Sequence, residues 1–385
     1  MTRSYASIPH LQTGIRTGAD GSLWEARDIP IPSCSRNAIL VKVYSVALNP
    51  SDYKMPGLVK TSGLLAGCDF AGEIVEIGSE VNRVERPGRD LWAVGDRVCG
   101  AVHGSNTRYR SWGSFAQFVE ADPVVLIRVP EGWAWTDAAA VGGSCVGAIG
   151  LALFHQMGLS LPSSDNHSMN GTVDSIDTKD LRKIVLVYGG STACGTMALQ
   201  MLRLAGYTPI TVCSPHSDTL TKIYGAVVCF DYHSEQCAEQ IKTYTKNSLS
   251  LVLDCIGTVD SATLCYAAIG RAGGRYVALE KLPNGATNAR RAVRASWVMG
   301  PLMFGRRIDM GEYSFDPDDA AREFGRQWYA LVEELLEQGK LQCHPARILG
   351  GQQQSWASAV QDGLHALREG KISGEKLVVN IDQPQ

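Results

Sequence analysis

The sequence predicts an α/β protein of two lobes, one an antiparallel β-barrel and the other a doubly wound parallel sheet, and three observations carry this reading. From Ile39 to about Pro130 the chain runs in short, β-branched apolar segments broken by glycine and proline, the pattern of antiparallel strands. From Arg182 onward strand-like runs alternate with helical ones, which is the signature of βαβ units around a parallel sheet. At 385 residues with 45% hydrophobic content, the chain exceeds a minimal domain and can fill two cores.

The elements follow in order. ILVKVYSVAL, FAGEIVEIG, DRVCGAV, SFAQFVEA and VVLIRVP read as the barrel strands. After Ala138 the residues become small and helix-compatible (AAAVGGSCVGAIGLALFHQMG), and the stretch from Ser160 to Asp180, rich in Ser, Asp, Asn and Gly, reads as a long surface loop or linker. The second lobe then reads IVLVY, MALQMLRLAG, PITVCS, a charged helix, AVVCFDY, LSLVLDCIG and GGRYVAL. A helix over AAREFGRQWYALVEELLEQGK precedes a strand-like tail, GEKLVVNI, which is expected to return to the first lobe. The barrel lobe is thus assigned residues 1–149, completed by 306–385, and the parallel lobe residues 150–305.

A net charge of −3 offers no strong field for nucleic acid or an anionic membrane. The opening MTRSYASIPHLQTG has no long apolar stretch, and no eighteen consecutive apolar residues occur, so no signal peptide or membrane span is expected and a cytoplasmic location is. Eleven cysteines stand singly, without a C-x-x-C pair, which suits reduced thiols. Asn166-His-Ser and Asn170-Gly-Thr match the glycosylation pattern and are set aside for want of a secretory signal.

The apolar strand Ile184 to Tyr188 runs into Gly189-Gly190-Ser191-Thr192-Ala193-Cys194-Gly195-Thr196 and then a helix. A glycine-rich turn alone is a weak signal. Here strand, turn, helix and a next strand ending at Ser214 agree, as a dinucleotide-binding turn requires. An NAD enzyme would carry an acid at the end of that second strand to hold the ribose hydroxyls, about twenty residues past the glycines. This chain instead reads Cys213-Ser214-Pro215-His216-Ser217, followed by Lys222, so NADPH is the expected cofactor. His216 and Lys222 taken singly also fit as ordinary solvated side chains.

VALNPSDYK, AGCDFAGEIVEIGSEV, VGDRV, the glycine turn and the Gly-Ala-x-x-x-x-Asp-Tyr piece from Gly225 to Tyr232 together resemble the medium-chain dehydrogenase/reductase superfamily over nearly the whole chain. That resemblance implies a GroES-like β-barrel catalytic domain and a Rossmann domain. Longer stretches, YGGSTACGTMALQMLRLAGYTPITVCSPHS, IKTYTKN, LDCIG, AAIGRAGGRYVAL and SGEKLVV, resemble the fungal trans-acting enoyl reductases, the branch of the lovastatin-pathway enzyme. Such enzymes act beside a polyketide synthase, or a polyketide synthase fused to a peptide synthetase, whose own enoyl reductase domain is inactive. They reduce an α,β-unsaturated thioester on the acyl carrier protein.

The resemblance implies NADP contacts at Ser51, Asp52, Tyr53 and Lys54, at Ser191, Thr192, Ala193 and Cys194, and at Ser214, Pro215, His216 and Ser217. Tyr232, Leu279, Glu280, Val378 and Val379 complete that set. It implies substrate contacts along Val141, Gly142, Gly143, Ser144, Cys145, Val146, Gly147 and Ala148, and at Val298, Met299, Gly300, Pro301 and Leu302. Departures are expected at Cys194-Gly195, Glu280 and the small-residue loop from Gly142 to Cys145, which leaves the substrate's chain length and branching open. A monomer is expected.

Zinc-dependent relatives carry Cys and His ligands in the first lobe and a four-cysteine structural cluster. Here Gly67-Cys68-Asp69 stands where those enzymes show Gly-His-Glu, and the segment from Arg97 to Pro130 offers only Cys99 and His103. A Cys68/Asp69/His103 site can be drawn but lacks the expected spacing, so no metal is expected. Conjugate reduction needs a hydride at Cβ, an electrophile at the thioester oxygen and a proton for Cα. Lys54 is the leading electrophile or orienting group, with a purely cofactor-holding role equally open, and Tyr53 is a proton-donor candidate. The small residues from Val141 to Ala148 fit helix packing or room for an acyl chain. Arg290, Arg291, Arg294, Arg306 and Arg307 form a basic group suited to an acidic carrier protein, or are solvated loop residues. The rival readings are a stand-alone NADPH quinone or enone reductase and a cofactor-binding scaffold without turnover.

Overall fold

The chain opens with a feature the strand pattern did not reveal: Leu11–Thr17 (β1) and Leu23–Pro30 (β2) form an antiparallel hairpin. The strand LWEARDIP buries only Ala26 and Ile29, so it lacks the regular alternation by which a half-buried strand is recognised. The computed structural model describes residues 8–84, 86, 88–162, 181–283, 285, 290–351 and 353–381. Asn166, Asn170 and most of the expected loop from Ser160 to Asp180 lie outside them.

The first unit continues with β3 (Ile39–Ala47), α1 (Pro50–Val59), β4 (Asp69–Ile77), β5 (Arg97–Ala101), β6 (Phe118–Ala121), β7 (Leu126–Arg128), α2 (Trp135–Val141) and α3 (Gly143–Ile149). Strand β3 is buried almost throughout. It pairs antiparallel with β4 on one edge and β6 on the other.

The second unit is built from β8 (Ile184–Tyr188), α4 (Ala193–Leu204), β9 (Thr208–Cys213), α5 (Asp218–Ile223), β10 (Cys229–Asp231), α6 (Cys237–Tyr244), β11 (Leu251–Asp254), α7 (Val259–Ala268), β12 (Gly274–Ala278) and β13 (Val293–Trp297). Its six strands are all parallel, in the order β10-β9-β8-β11-β12-β13. This is the doubly wound order of a dinucleotide-binding sheet. Helices cover both faces of such a sheet, which is why β8 and β9 are apolar and buried along their whole length. The charged helix expected after PITVCS is only the short α5.

The chain then returns through α8 (Asp319–Glu337), β14 (Ala346–Leu349), α9 (Trp356–Arg368) and β15 (Lys376–Asn380). Strand β15 pairs antiparallel with β3 and parallel with β14. It brings Leu377 and Val379 into a core with Val41, Val43, Val46, Phe70, Phe115 and, from α9, Trp356 and Val360. Each such fully buried side chain contributes about 1.5–3 kcal/mol. The two units are Met1–Gly147 with Pro301–Gln385, and Ala148–Gly300, so the boundaries fall two residues before 149/150 and five before 305/306. The helical run Trp135–Gln156 has the length and hydropathy of a membrane span, but 83% of its apolar window is buried inside the protein, as in a core helix.

Candidate active site

In the second unit the turn after β8 is built around three glycines. Gly189 has a φ of 80°, in the region that favours glycine. A Cβ on Gly190 would lie 1.9 Å from Thr211 Oγ1, and one on Gly195 would lie 2.3 Å from the Gly189 carbonyl oxygen. The chain thus passes close to β9, and α4 starts close against the turn. Thr192 caps α4, its hydroxyl accepting from Gly195 N–H at 3.0 Å and donating to the Gly189 carbonyl at 2.8 Å. Ser191, Thr192, Ala193 and Cys194 remain half-buried at this helix start, where backbone N–H groups and the helix dipole favour a phosphate. The residues present therefore fit a dinucleotide's pyrophosphate.

The loop after β9 places Ser214 half-buried, Pro215 and His216 exposed, and Ser217 buried. Ser214 Oγ donates to Tyr232 Oη at 3.0 Å, joining the end of β9 to the residue that follows β10. Lys222 differs from the sequence reading. Its ammonium pairs with Asp218 at 2.8 Å, one turn back on α5, which raises its pKa above the usual lysine value and ties the charge to a carboxylate. Asp218 lies past the strand end, on the first turn of α5, outside the position where a ribose-binding acid is expected.

Strand β11 closes on Asp254, a fully buried carboxylate. It accepts from Ile256 and Gly257 N–H, both at 2.9 Å, from Ser261 Oγ at 2.6 Å and from Tyr276 Oη at 2.7 Å. It thereby fixes the Cys255-Ile256-Gly257 turn beside Glu280, against whose Cβ a side chain on Gly257 would press at 2.5 Å. Sequence reasoning missed this residue; its signal is a lone acid ending the apolar run LVLD. Leu279 and Glu280 follow β12 half-buried, and Val298 and Met299 follow β13 buried. The candidate residues of this unit, Ala148 apart, thus follow the carboxyl ends of its strands, where ligands bind in open α/β sheets. Arg290 is not available for docking, since it donates to the carbonyls of Tyr266, Ile269 and Gly270 at the end of α7. Arg291 and Arg294 are exposed.

In the first unit α1 carries the Ser51 to Lys54 group. Ser51 and Tyr53 are half-buried and Lys54 is exposed. Asp52 turns inward at 2% exposure, its carboxylate accepting from the Asn49 backbone N–H at 2.8 Å, so anything it offers a ligand comes from its backbone. Burial, with Asp69 nearby, pushes its pKa up to about 7. Below it lies a polar cluster in an otherwise apolar core. Lys376 Nζ donates to Asn49 Oδ1 and to Asp69 Oδ2, the latter at 3.2 Å. Asp69 also accepts from Asn49 Nδ2 at 2.9 Å and from Ser144 N–H at 2.7 Å. The cluster therefore ties α1 to the Gly142-Gly143 turn between α2 and α3.

That turn needs both glycines. Gly142 has φ 69°, and a Cβ on Gly143 would lie 2.4 Å from the Gly100 carbonyl carbon. Helix α8 supports it from the other side, with Tyr329 Oη donating to Gly143 O at 2.7 Å and Trp328 Nε1 to Val146 O at 2.8 Å. From Val141 to Ala148 only Ser144 and Ala148 keep partial exposure; Val141, Gly142, Gly143, Cys145, Val146 and Gly147 are packed inside. Gly300, Pro301 and Leu302 are half-buried. Val378 and Val379 are 0% and 1% exposed on a strand paired along both edges. Their side chains are core, which leaves the backbone to make the cofactor contact expected there.

A zinc ion does not fit these residues. Asp69 already faces the Lys376 ammonium. His103 is buried with its pKa pushed down to about 4 by desolvation, and Asn106 Nδ2 lies 2.9 Å from its Nδ1. Because Asn106 Oδ1 accepts from the N–H groups of Arg108 and Tyr109, its amide nitrogen faces the ring as donor. Among the described residues no three His, Cys, Asp or Glu side chains converge on a metal position. Purified protein is expected to contain less than one-tenth of a zinc per chain by elemental analysis and to keep its activity after chelation; one tightly held zinc per chain would overturn this.

A Rossmann sheet whose glycine turn fits a pyrophosphate, with a β-barrel unit completed by the C-terminal strand, defines a nicotinamide-dependent oxidoreductase of the medium-chain dehydrogenase/reductase type. Residues 35–131 match the alcohol dehydrogenase GroES-like domain family and residues 193–301 the zinc-binding dehydrogenase family. The chain is 50% identical to the trans-enoyl reductase ucsL of an Acremonium species, covering 98% of this chain and 99% of that protein. It is 42% identical to the trans-enoyl reductase FSL5 of Gibberella zeae, covering 98% and 99%. Among solved structures, the quinone oxidoreductase of Coxiella burnetii aligns with a TM-score of 0.66 at 21% identity over 97% of this chain and all of that one. The CurK enoyl reductase aligns at 0.67 and 16% identity over 96% and 99%. These structural likenesses bear on the fold. The chain belongs to the trans-enoyl reductases of the medium-chain dehydrogenase/reductase superfamily and is an NAD(P)H-dependent enoyl reductase.

Proposed function

We propose that the enzyme delivers hydride from NADPH to the β-carbon of an α,β-unsaturated acyl thioester carried on the acyl carrier protein of a partner polyketide synthase, or of a polyketide synthase–peptide synthetase hybrid. It acts as a zinc-free cytoplasmic monomer in this reading. The observation that carries the proposal is the end-to-end match to trans-enoyl reductases at 50% identity. The choice of NADPH is supported by the hydroxyl pair Ser214 and Tyr232 at the end of β9, where an NAD enzyme would present a carboxylate. Asp218, the nearest acid beyond it, is engaged by Lys222.

The bound cofactor supplies the hydride. The half-buried start of α4 from Ser191 to Cys194 holds the pyrophosphate through backbone N–H groups, and Ser214, His216 and Tyr232 receive the 2′-phosphate. Lys54 supplies positive charge where the thioester oxygen becomes an enolate, and Tyr53 is placed as the proton donor to Cα. Ser144, a partly exposed position of its stretch, lines the path of the acyl chain. Exposed Arg291 and Arg294 meet the acidic carrier protein.

The test measures consumption of NADPH and NADH with a carrier-bound enoyl thioester, a free enone and a quinone. We expect the thioester to be the preferred substrate and NADPH to be favoured at least about a hundredfold in kcat/KM, the selectivity a charged 2′-phosphate contact provides. Equal use of NADH would sink the cofactor assignment. Preference for quinone or free enone would replace the carrier-bound substrate with a diffusible one.

A further inference from the structure

Cysteines Cys213 and Cys229 face each other across neighbouring strands of the second unit. Cys213 is the last residue of β9 and Cys229 the first of β10, and the parallel register pairs Cys229 with Thr211 and Cys213 with Asp231. The two thiols therefore point to the same face of the sheet. Their sulfurs are 2.8 Å apart, against about 2.05 Å in a disulfide, so a closure of under about 1 Å joins them. Cys213 is buried and Cys229 half-buried, which gives a small oxidant access to one sulfur and keeps the other behind it. The hydrogen bond they share holds Cys229 below the usual thiol range while pushing Cys213 up. Cys229, the more exposed of the two sulfurs, is accordingly the one a peroxide reaches first.

This pair lies at the strand ends that lead to Ser214 and Tyr232, the residues proposed to receive the 2′-phosphate. Cys213 is bonded to Ser214, Cys229 lies three residues before Tyr232, and Ser214 and Tyr232 are themselves hydrogen-bonded. We propose that Cys213 and Cys229 form an oxidisable dithiol, a modification site for peroxides that lowers NADPH affinity when it closes. The Cys229 thiolate attacks a peroxide oxygen, breaking the O–O bond to give Cys229 sulfenic acid and, from hydrogen peroxide, one water. The Cys213 thiol then attacks the Cys229 sulfur, forming the S–S bond and releasing a second water; a dithiol reductant reverses the change. Closure draws the ends of β9 and β10 together and shifts the two hydroxyls that receive the 2′-phosphate. The inference rests on the NADPH reading above.

The test exposes the reduced full-length enzyme to hydrogen peroxide, alkylates the remaining thiols, maps linked peptides by mass spectrometry and measures nucleotide KM with an enoyl thioester. The expected result is a Cys213–Cys229 linked peptide. With it the KM for NADPH should rise about tenfold or more, as sub-ångström displacement of binding groups produces, with kcat little changed and full recovery in dithiothreitol. Cys229→Ser and, separately, Cys213→Ala should abolish both the linked peptide and the peroxide effect. Absence of the linked peptide, an unchanged KM despite it, or an equal peroxide effect in both variants would overturn the proposal. The cofactor reading is judged separately in untreated enzyme: equal use of NADH there refutes it, while the linked peptide and its effect on nucleotide KM still decide the dithiol.

Discussion

Replacing Lys376 with methionine should destabilise the enzyme by about 3–5 kcal/mol, the usual cost of removing one partner from a buried ion pair. The side chains of Lys376 and Asp69 are 5% and 0% exposed, so water cannot solvate the carboxylate left behind. The loss should spread to Asn49, which accepts from the same ammonium, and to Ser144, whose N–H Asp69 holds. By contrast, the pair Lys222–Asp218, with side chains 51% and 39% exposed, should matter far less when broken, because water solvates both charges. Denaturant unfolding of Lys376→Met, of Asp69→Asn and of the double variant Asp69→Asn/Lys376→Met checks the argument. The double variant should recover much of the loss, because it removes the unpaired charge. A loss under about 1 kcal/mol for Lys376→Met would mean that water reaches the cluster.

Lys54→Ala should lower kcat and kcat/KM together by about a hundredfold, the scale of losing one donor to a developing oxyanion. The experiment is clean because Lys54 is exposed on α1 while Asn49 and Asp52 anchor that helix from its buried side. Truncating Lys54 removes the ammonium without touching the cluster beneath. Assayed with saturating NADPH and an enoyl thioester, a near-normal kcat with a raised KM for NADPH would assign Lys54 to holding the cofactor. Tyr53 would then be the residue to examine for the proton.

Most of the Rossmann unit was legible in the sequence because its strands are covered on both faces. Continuous runs such as IVLVY and a glycine turn between strand and helix have few other readings. The β1–β2 hairpin was not legible, since Leu11 and Trp24 are exposed and the alternation that marks a strand is blurred. The strand, turn and helix that carry Ser191 to Cys194 were readable from spacing, whereas side-chain direction was not. Asp52 and Val379 occupy family motif positions, yet both point inward, and sequence spacing alone carries no information about that. Asp254 escaped the motifs because its partners Ser261 and Tyr276 are brought to it by the fold, and Asp218 because it lies past the strand end where a ribose-binding acid is expected.

The strand that completes the barrel unit is made after every element of the nucleotide-binding unit. Ser45 Oγ donates to the carbonyl oxygen of Val379 at 3.3 Å, across 334 residues. During translation the nucleotide-binding unit is therefore fully synthesised while the Ser45–Ala47 end of β3 lacks its partner on one edge and the core waits for Leu377 and Val379. Long-range pairing of this kind is slow, and an unpaired apolar edge invites association with other chains. A stop codon a few residues before Lys376 would leave the glycine turn and its sheet complete but remove both the strand paired with the Ser45–Ala47 end of β3 and the cation that neutralises Asp69. Such truncated chains should accumulate as insoluble protein, and an affinity tag on this enzyme belongs at the amino terminus.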